Sequence, residues 1–284
     1  MQDIKGKTAF VTGAASGIGL SLCRALANQG VKVMMSDINV EQLNSAAASL
    51  REETSGDLDV VVCDVAKLVS VKAAAETTRA TFGAVHLLFN NAGVGLAGRP
   101  GHIDIKDWQW IVDINLMGIV HGVQAFVPDM VAHKQGGHIV NTASMAGHSV
   151  MAGMAPYHAT KFAAVGYSET LRQELAPVGI GVSVLCPTWV KSNIHNTGAQ
   201  SPTAMSPNKI KKEPSKTAAK VYQTLKSLVE NGMEPDQLAD LVLKSINANR
   251  LYIFNDPEAR AAIDDRRKAI LDDYDACLKD LGLV

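Results

Sequence analysis

The stretch Thr8-Ala9-Phe10-Val11-Thr12-Gly13-Ala14-Ala15-Ser16-Gly17-Ile18-Gly19 decides how the rest of this 284-residue chain reads. The apolar, β-branched run Thr8–Thr12 has the character of a buried strand, and the glycines that follow mark a tight turn into a helix beginning at Ile18. Glycines at a strand-to-helix turn let the backbone approach a pyrophosphate closely. The helix N-terminus then offers unpaired N–H groups and a positive dipole end. The spacing is Gly-x-x-x-Gly-x-Gly rather than Gly-x-Gly-x-x-Gly. In isolation this is a plain glycine turn. Placed after the first strand of an alternating pattern, it marks Gly13, Ser16, Gly17, Ile18 and Gly19 as a nucleotide-binding turn.

The alternation continues outward from that turn. Apolar runs at Val31–Ser36, Leu58–Cys63, Val85–Phe89, His138–Thr142, Gly181–Leu185 and Leu251–Phe254 read as further strands. Most are continuously apolar, as a strand covered on both faces requires. Between them, Ile18–Asn28, Glu41–Glu53, Val71–Phe82, Trp108–His133 and Tyr157–Leu175 carry apolar residues at helical spacing. The pattern predicts an α/β fold: a Rossmann-like, doubly wound parallel sheet of about seven strands with helices on both faces, in a single domain over residues 1–284.

Ligands of such sheets bind at the carboxyl ends of the strands. Asp37 stands there after the second strand, where a carboxylate accepts hydrogen bonds from a ribose; the competing reading is a cap for the helix starting near Val40. Asp64 follows the third strand, in reach of an adenine edge, and Asn90-Asn91-Ala92-Gly93 ends the fourth with small residues that leave room for a ribose. Tyr157 and Lys161 fall at i and i+4 on one helix face, and Ser144 lies at the end of the preceding strand. A phenol is a poor base at neutral pH, and a neighbouring ammonium favours its phenolate. The Ser144 hydroxyl can bond the reacting oxygen.

Thr-Gly-x-x-x-Gly-Ile-Gly, Asn-Asn-Ala-Gly, Ser144 and Tyr-x-x-x-Lys together resemble the short-chain dehydrogenase/reductase family, from about Lys5 to Lys191. The resemblance implies hydride transfer with a nicotinamide dinucleotide. It casts Tyr157 as proton donor and acceptor, Ser144 as the substrate-orienting hydroxyl, Lys161 as the ribose-binding lysine and Asn115 as the helix asparagine of a proton relay. It also implies cofactor contacts at Val65, Asn91, Ala92, Gly93, Pro187 and Val190. Two departures stand out. Thr188 replaces the family's glycine after Pro187, and a charged tail replaces its glycine-rich C-terminus, which favours a homodimer over the common tetramer. Short strings in the last third are similar to the Cα-dehydrogenases of lignin aryl-ether breakdown.

Asp37 selects NAD, because a 2′-phosphate would meet its carboxylate and neither Ser16 nor Ile38 is basic. The leading expectation is an NAD-dependent oxidoreductase acting on a bulky or aromatic secondary alcohol. The alternatives are an NADPH-dependent ketone or oxoacyl reductase and a non-enzymatic NAD-binding sensor. Composition narrows the remaining classes. Lys+Arg is 27 against Asp+Glu 28, which argues against nucleic acid or an anionic membrane as partner. The start of the chain has no signal-peptide pattern, no stretch approaches the ~18 apolar residues of a membrane span, and the four scattered cysteines read as buried, reduced thiols of a cytoplasmic protein. Ser192–Thr217 reads as a lid insertion. The tail from about 257 to 284 reads as an amphipathic helix that packs on its own domain or on a partner.

Overall fold

The computed structural model describes residues 3–206 and 216–283. Its first half runs β1 (Thr8–Thr12), α1 (Gly17–Asn28), β2 (Lys32–Asp37), α2 (Val40–Glu53), β3 (Leu58–Val62), α3 (Leu68–Phe82) and β4 (Leu87–Asn90). Then come α4 (Ile105–Val112), a π-helical turn at Asp113–Met117, α5 (Gly118–Ala132), β5 (Gly137–Thr142), α6 (Ala155–Leu175) and β6 (Ile180–Cys186). The chain ends with α7 (Lys216–Glu230), α8 (Pro235–Asn247), β7 (Tyr252–Phe254) and α9 (Ala259–Asp280). All strand pairs are parallel, in the order β3-β2-β1-β4-β5-β6-β7. The expected doubly wound sheet is the observed one.

Alternate side chains of each central strand feed two separate cores, which is why these strands are apolar throughout. Ala9 and Val11 of β1 pack with Leu22 and Leu26 of α1 and Leu238 and Val242 of α8. Phe10 faces the other way, into a core with Met34, Val71 of α3 and Phe126 of α5. The Phe10 and Phe126 ring centroids lie 4.5 Å apart. Full burial of one such ring contributes about 1.5–3 kcal/mol. The chain leaves β3 at one edge and returns as β4 on the far side of β1, so the switch point lies between β1 and β4. Their carboxyl ends are Thr12 and Asn90, where the glycine turn and the Asn90–Gly93 segment diverge.

Three expectations need correction. The segment Trp108–His133 is not one regular helix: it starts at Ile105, and the π turn interrupts it. Ile105–Ala132 is also long and apolar enough to cross a membrane by length and composition, contrary to the sequence reading. The fold uses it as a core helix, with Ile111, Ile119 and Phe126 buried. Cys23, Cys63 and Cys186 are buried, but Cys277 is exposed on α9. Part of the lid expectation lies outside the described residues. Of the described part, Thr197 Oγ1 accepts from Gly95 N–H at 2.7 Å, and Thr203 donates to the Asp107 carboxylate, which ties the segment to the loop after β4 and to α4.

Candidate active site

The glycine turn takes its shape from two left-handed residues, Gly13 (φ 66°) and Gly17 (φ 52°). A side chain at Gly13 would also press into Ala92 Cα at 2.9 Å, so the turn and the segment after β4 sit in direct contact. Thr12 locks that contact: its Oγ1 accepts from the N–H groups of Asn91 and Ala92 at 2.9 and 3.0 Å. Asn91 reaches back, its Nδ2 donating to Thr12 O at 3.0 Å. Ser16 is extended at the start of α1, and its side chain does not cap the helix.

Asp37 lies beside the same turn. Its Oδ2 accepts from Ala15 N–H at 3.2 Å and its Oδ1 from Asn39 N–H at 3.0 Å. The helix-cap reading of Asp37 fails, because Asn39 is the residue that caps α2, accepting from Gln42 N–H at 3.1 Å. Asp64 is held within its own loop by Ala66 N–H at 3.1 Å and by Lys67 Nζ at 3.0 Å. The neighbouring Val65 is buried, and its carbonyl is bonded by the His121 ring at 2.8 Å.

The catalytic candidates converge from two parts of the fold. Tyr157 and Lys161 come from the first turns of α6, and Ser144 from the loop just after β5. Ser144 Oγ is fixed by Ala146 N–H at 3.1 Å and by Pro187 O at 3.3 Å. Lys161 is buried and donates to Thr142 O at 2.9 Å; its Nζ lies 5.6 Å from the Tyr157 ring centroid. An ammonium carries three donors, so a buried lysine with one protein acceptor has capacity for the hydroxyls of a ligand. Gly93 lies beside this amine: a Cβ there would be in ordinary contact with Lys161 Nζ at 3.5 Å.

Asn115 sits in the π turn, a feature that recurs at functional sites. Its Oδ1 accepts from Val94 N–H at 2.8 Å, and its Nδ2 donates to Val94 O at 2.9 Å and to Thr160 Oγ1 at 3.2 Å. The side chain therefore fixes the loop after β4 against α6. Around the Tyr157 ring pack Val94, Leu96, Ile103, Ile111, Trp110 and Ile114, an apolar cluster. A separate cleft of about 610 Å³ opens beside Gly17 and Ser192, against α7 and α8. It flanks the glycine turn rather than the phenol.

This constellation can be set beside known proteins. Residues 7–202 match the family model described as short chain dehydrogenase. The chain belongs to that family. Among relatives of this short chain dehydrogenase is a protein of Lactiplantibacillus plantarum named CLA biosynthesis dehydrogenase/reductase, 36% identical over 275 residues, covering 96% of each chain. Another is the C alpha-dehydrogenase of a Sphingobium species, 34% identical over 273 residues, covering 96% of this chain and 88% of that one. Among solved structures, a short chain dehydrogenase/reductase from Burkholderia phymatum in complex with NAD superposes with a TM-score of 0.89 at 33% identity, over 95% of this chain and 96% of that one. The protein is accordingly an oxidoreductase of the nicotinamide-dependent type, acting on CH–OH groups.

Several residues of this short chain dehydrogenase that serve the site were not singled out in the sequence. Thr142 supplies the carbonyl for Lys161, and Thr160 braces Asn115. His158 joins two parts of the loop after Ser144, donating from Nδ1 to Ala146 O and accepting on Nε2 from Met151 N–H, both at 2.9 Å. Asn255 answers the Thr188 departure: its Oδ1 accepts from Thr188 N–H at 2.9 Å and holds the loop that lacks the glycine. The expectation that Lys161 pulls the Tyr157 phenol down is also corrected. Burial pushes the phenol up, and the Ser144 hydroxyl is the group that opposes it. Burial pulls Lys161 down to about 8. Desolvation is the larger influence on both groups.

Proposed function

We propose that this enzyme interconverts a bulky or aromatic secondary alcohol and its ketone, with NAD as the partner of hydride transfer. The observation that carries the reading is the convergence of Ser144, Tyr157 and Lys161 beside the glycine turn. As its phenolate, Tyr157 takes the alcohol's proton and becomes the neutral phenol, and Ser144 orients the alcohol oxygen. Lys161 binds ribose hydroxyls with its unused donors, while Asn115 keeps Val94 and α6 in register. Gly13, Ser16, Gly17, Ile18 and Gly19 hold the pyrophosphate, Asp37 the adenosine ribose, and Asp64 and Val65 the adenine. Asn91, Ala92, Gly93, Pro187 and Val190 line the remaining length of the cofactor. When bound, the nicotinamide supplies the hydride acceptor.

The donors of Lys161 Nζ beyond its bond to Thr142 O suit such a ligand. The apolar cluster around Tyr157 supports an apolar substrate. Asp37 at the turn favours NAD over the NADPH-dependent reductase reading, and the intact Ser144, Tyr157 and Lys161 favour an enzyme over a sensor. We read the protein as a cytoplasmic homodimer working on small molecules. A panel of secondary alcohols with NAD, followed by absorbance of the reduced cofactor, should find turnover concentrated in bulky apolar members. Turnover of none of them, or of short polar alcohols only, would overturn the assignment.

The titration directions set a pH dependence. A phenol raised above its ordinary range is neutral at pH 7, and its phenolate fraction grows as pH rises. Alcohol oxidation, which needs the phenolate, should therefore accelerate from about pH 7 to about pH 9. Ketone reduction, which needs the phenol, should not. Lys161 carries its charge below about 8 in the free protein, so NAD affinity should decline as pH rises through that value. Initial rates in both directions and fluorescence titration of NAD across this range check both statements.

A further inference from the structure

We infer that Asp107 is a positioning residue for the alcohol: it latches the segment after β6 to α4 and so sets how tightly a bulky substrate is held. The inference rests on the secondary-alcohol reading above and names the side chain that fastens its pocket.

Asp107 stands in the first turn of α4, where the helix dipole favours a carboxylate. An acid placed there for the dipole alone can stay in water. Asp107 is instead only 6% exposed, and no basic side chain pairs with it among the described residues. A buried carboxylate without a cation needs hydrogen-bond donors. Both of its oxygens find them on one residue: Oδ1 accepts from Thr203 N–H at 3.0 Å, and Oδ2 from the Thr203 hydroxyl. Thr203 is presented by a compact turn, in which the carbonyl of buried Ser201 accepts from Met205 N–H at 3.0 Å. The Ser201 hydroxyl accepts from Ala204 N–H at 3.4 Å.

The position of this bond gives it a role. Asp107 and Ile111 stand at i and i+4 on one face of α4, and Ile111 packs in the cluster around the Tyr157 ring. The segment that Asp107 holds is pinned at two earlier points. Ser192 lies against the glycine turn, where a Cβ at Gly17 would be 3.2 Å from Ser192 Cβ. Thr197 Oγ1 accepts from Gly95 N–H at 2.7 Å, and the flanking Val94 and Leu96 both pack with Tyr157. The segment therefore runs from the nucleotide-binding turn, past the loop after β4, to the helix that backs the phenol. Loss of the Asp107 acceptors releases its end on α4 and leaves the contact with the glycine turn in place. Alcohol affinity then suffers, while the cofactor keeps its own contacts.

The test separates alcohol affinity from chemistry and from cofactor binding. Asp107→Leu should raise KM for a bulky secondary alcohol about 10-fold, with kcat and NAD affinity within about 2-fold of the parent. Asp107→Asn should restore KM, since its amide accepts from Thr203 N–H and donates to the Thr203 hydroxyl. Thr203→Val removes one of the two bonds from the surface side and should fall between, which keeps the test available should Asp107→Leu not fold. A second readout needs no alcohol. Hydrogen exchange followed by mass spectrometry should be about 10-fold faster over residues 197–205 in Asp107→Leu, and parental over Thr8–Thr12 and Tyr157–Leu175. Parental KM or parental exchange in Asp107→Leu, an Asp107→Asn variant as impaired as Asp107→Leu, or an equal loss of NAD affinity would overturn the latch. If no alcohol is oxidised at all, the catalytic reading fails, and the exchange result still judges the latch.

Discussion

Replacing Tyr157 by Phe should lower turnover by about 10²-fold or more and leave NAD affinity nearly unchanged. The substitution removes one hydroxyl and keeps the ring that packs against Val94, Leu96 and Ile111. No other phenol stands beside Ser144 in this site: Tyr252 is hydrogen-bonded to Glu169 at 2.6 Å, and Tyr222 to Asn196 at 2.7 Å. The Ser144 hydroxyl would remain fixed by Ala146 N–H and Pro187 O. Steady-state kinetics with fluorescence titration of NAD separate the two effects. Near-full activity of Tyr157→Phe at neutral pH would remove the proton exchange from this residue. Lys161→Ala serves as the contrast and should damage turnover and NAD affinity together.

The second large effect concerns the choice of cofactor. Asp37 is tied to Ala15 N–H in the glycine turn, so its carboxylate stands beside the nucleotide-binding backbone rather than at the α2 cap. A 2′-phosphate there would meet a like charge and forfeit the ribose hydrogen bonds. Together these should cost on the order of 2–4 kcal/mol, a preference of roughly 30- to 1000-fold for NAD. Asp37→Ala with Ile38→Arg should weaken NAD and admit NADP. Ile38 is 65% exposed, so an arginine there has room to reach the phosphate. Equal kcat/KM for NAD and NADP in the unmodified protein would show that Asp37 does not face the ribose.

The central fold was legible because its strands are buried on both faces, which leaves uninterrupted apolar runs such as Ala9–Val11 and Val33–Met35. The candidate residues were legible for a related reason: they cluster at strand ends and on one helix face, where spacing encodes proximity. What escaped is set by tertiary contacts. The π turn at Asp113–Met117 accompanies Asn115 bonding to Val94 and Thr160, partners distant in sequence. The raised Tyr157 depends on burial that no local pattern reports. Helix α8 carries a helical signal in Pro235 followed by Leu238, Val242 and Ile246, at four-residue spacing. For α9, periodicity gave an amphipathic helix without saying what it packs against, and the fold leaves its apolar residues uncovered.

The most direct measurement follows the hydrogen itself. A secondary alcohol that the enzyme turns over, deuterated at its carbinol carbon, is incubated with NAD, and the reduced cofactor is analysed by mass spectrometry and NMR. The account predicts one deuterium per reduced cofactor, carried at nicotinamide C4, with formation suppressed about 10²-fold in Tyr157→Phe. Reduced cofactor without deuterium, or equal labelling rates in the two proteins, would contradict it.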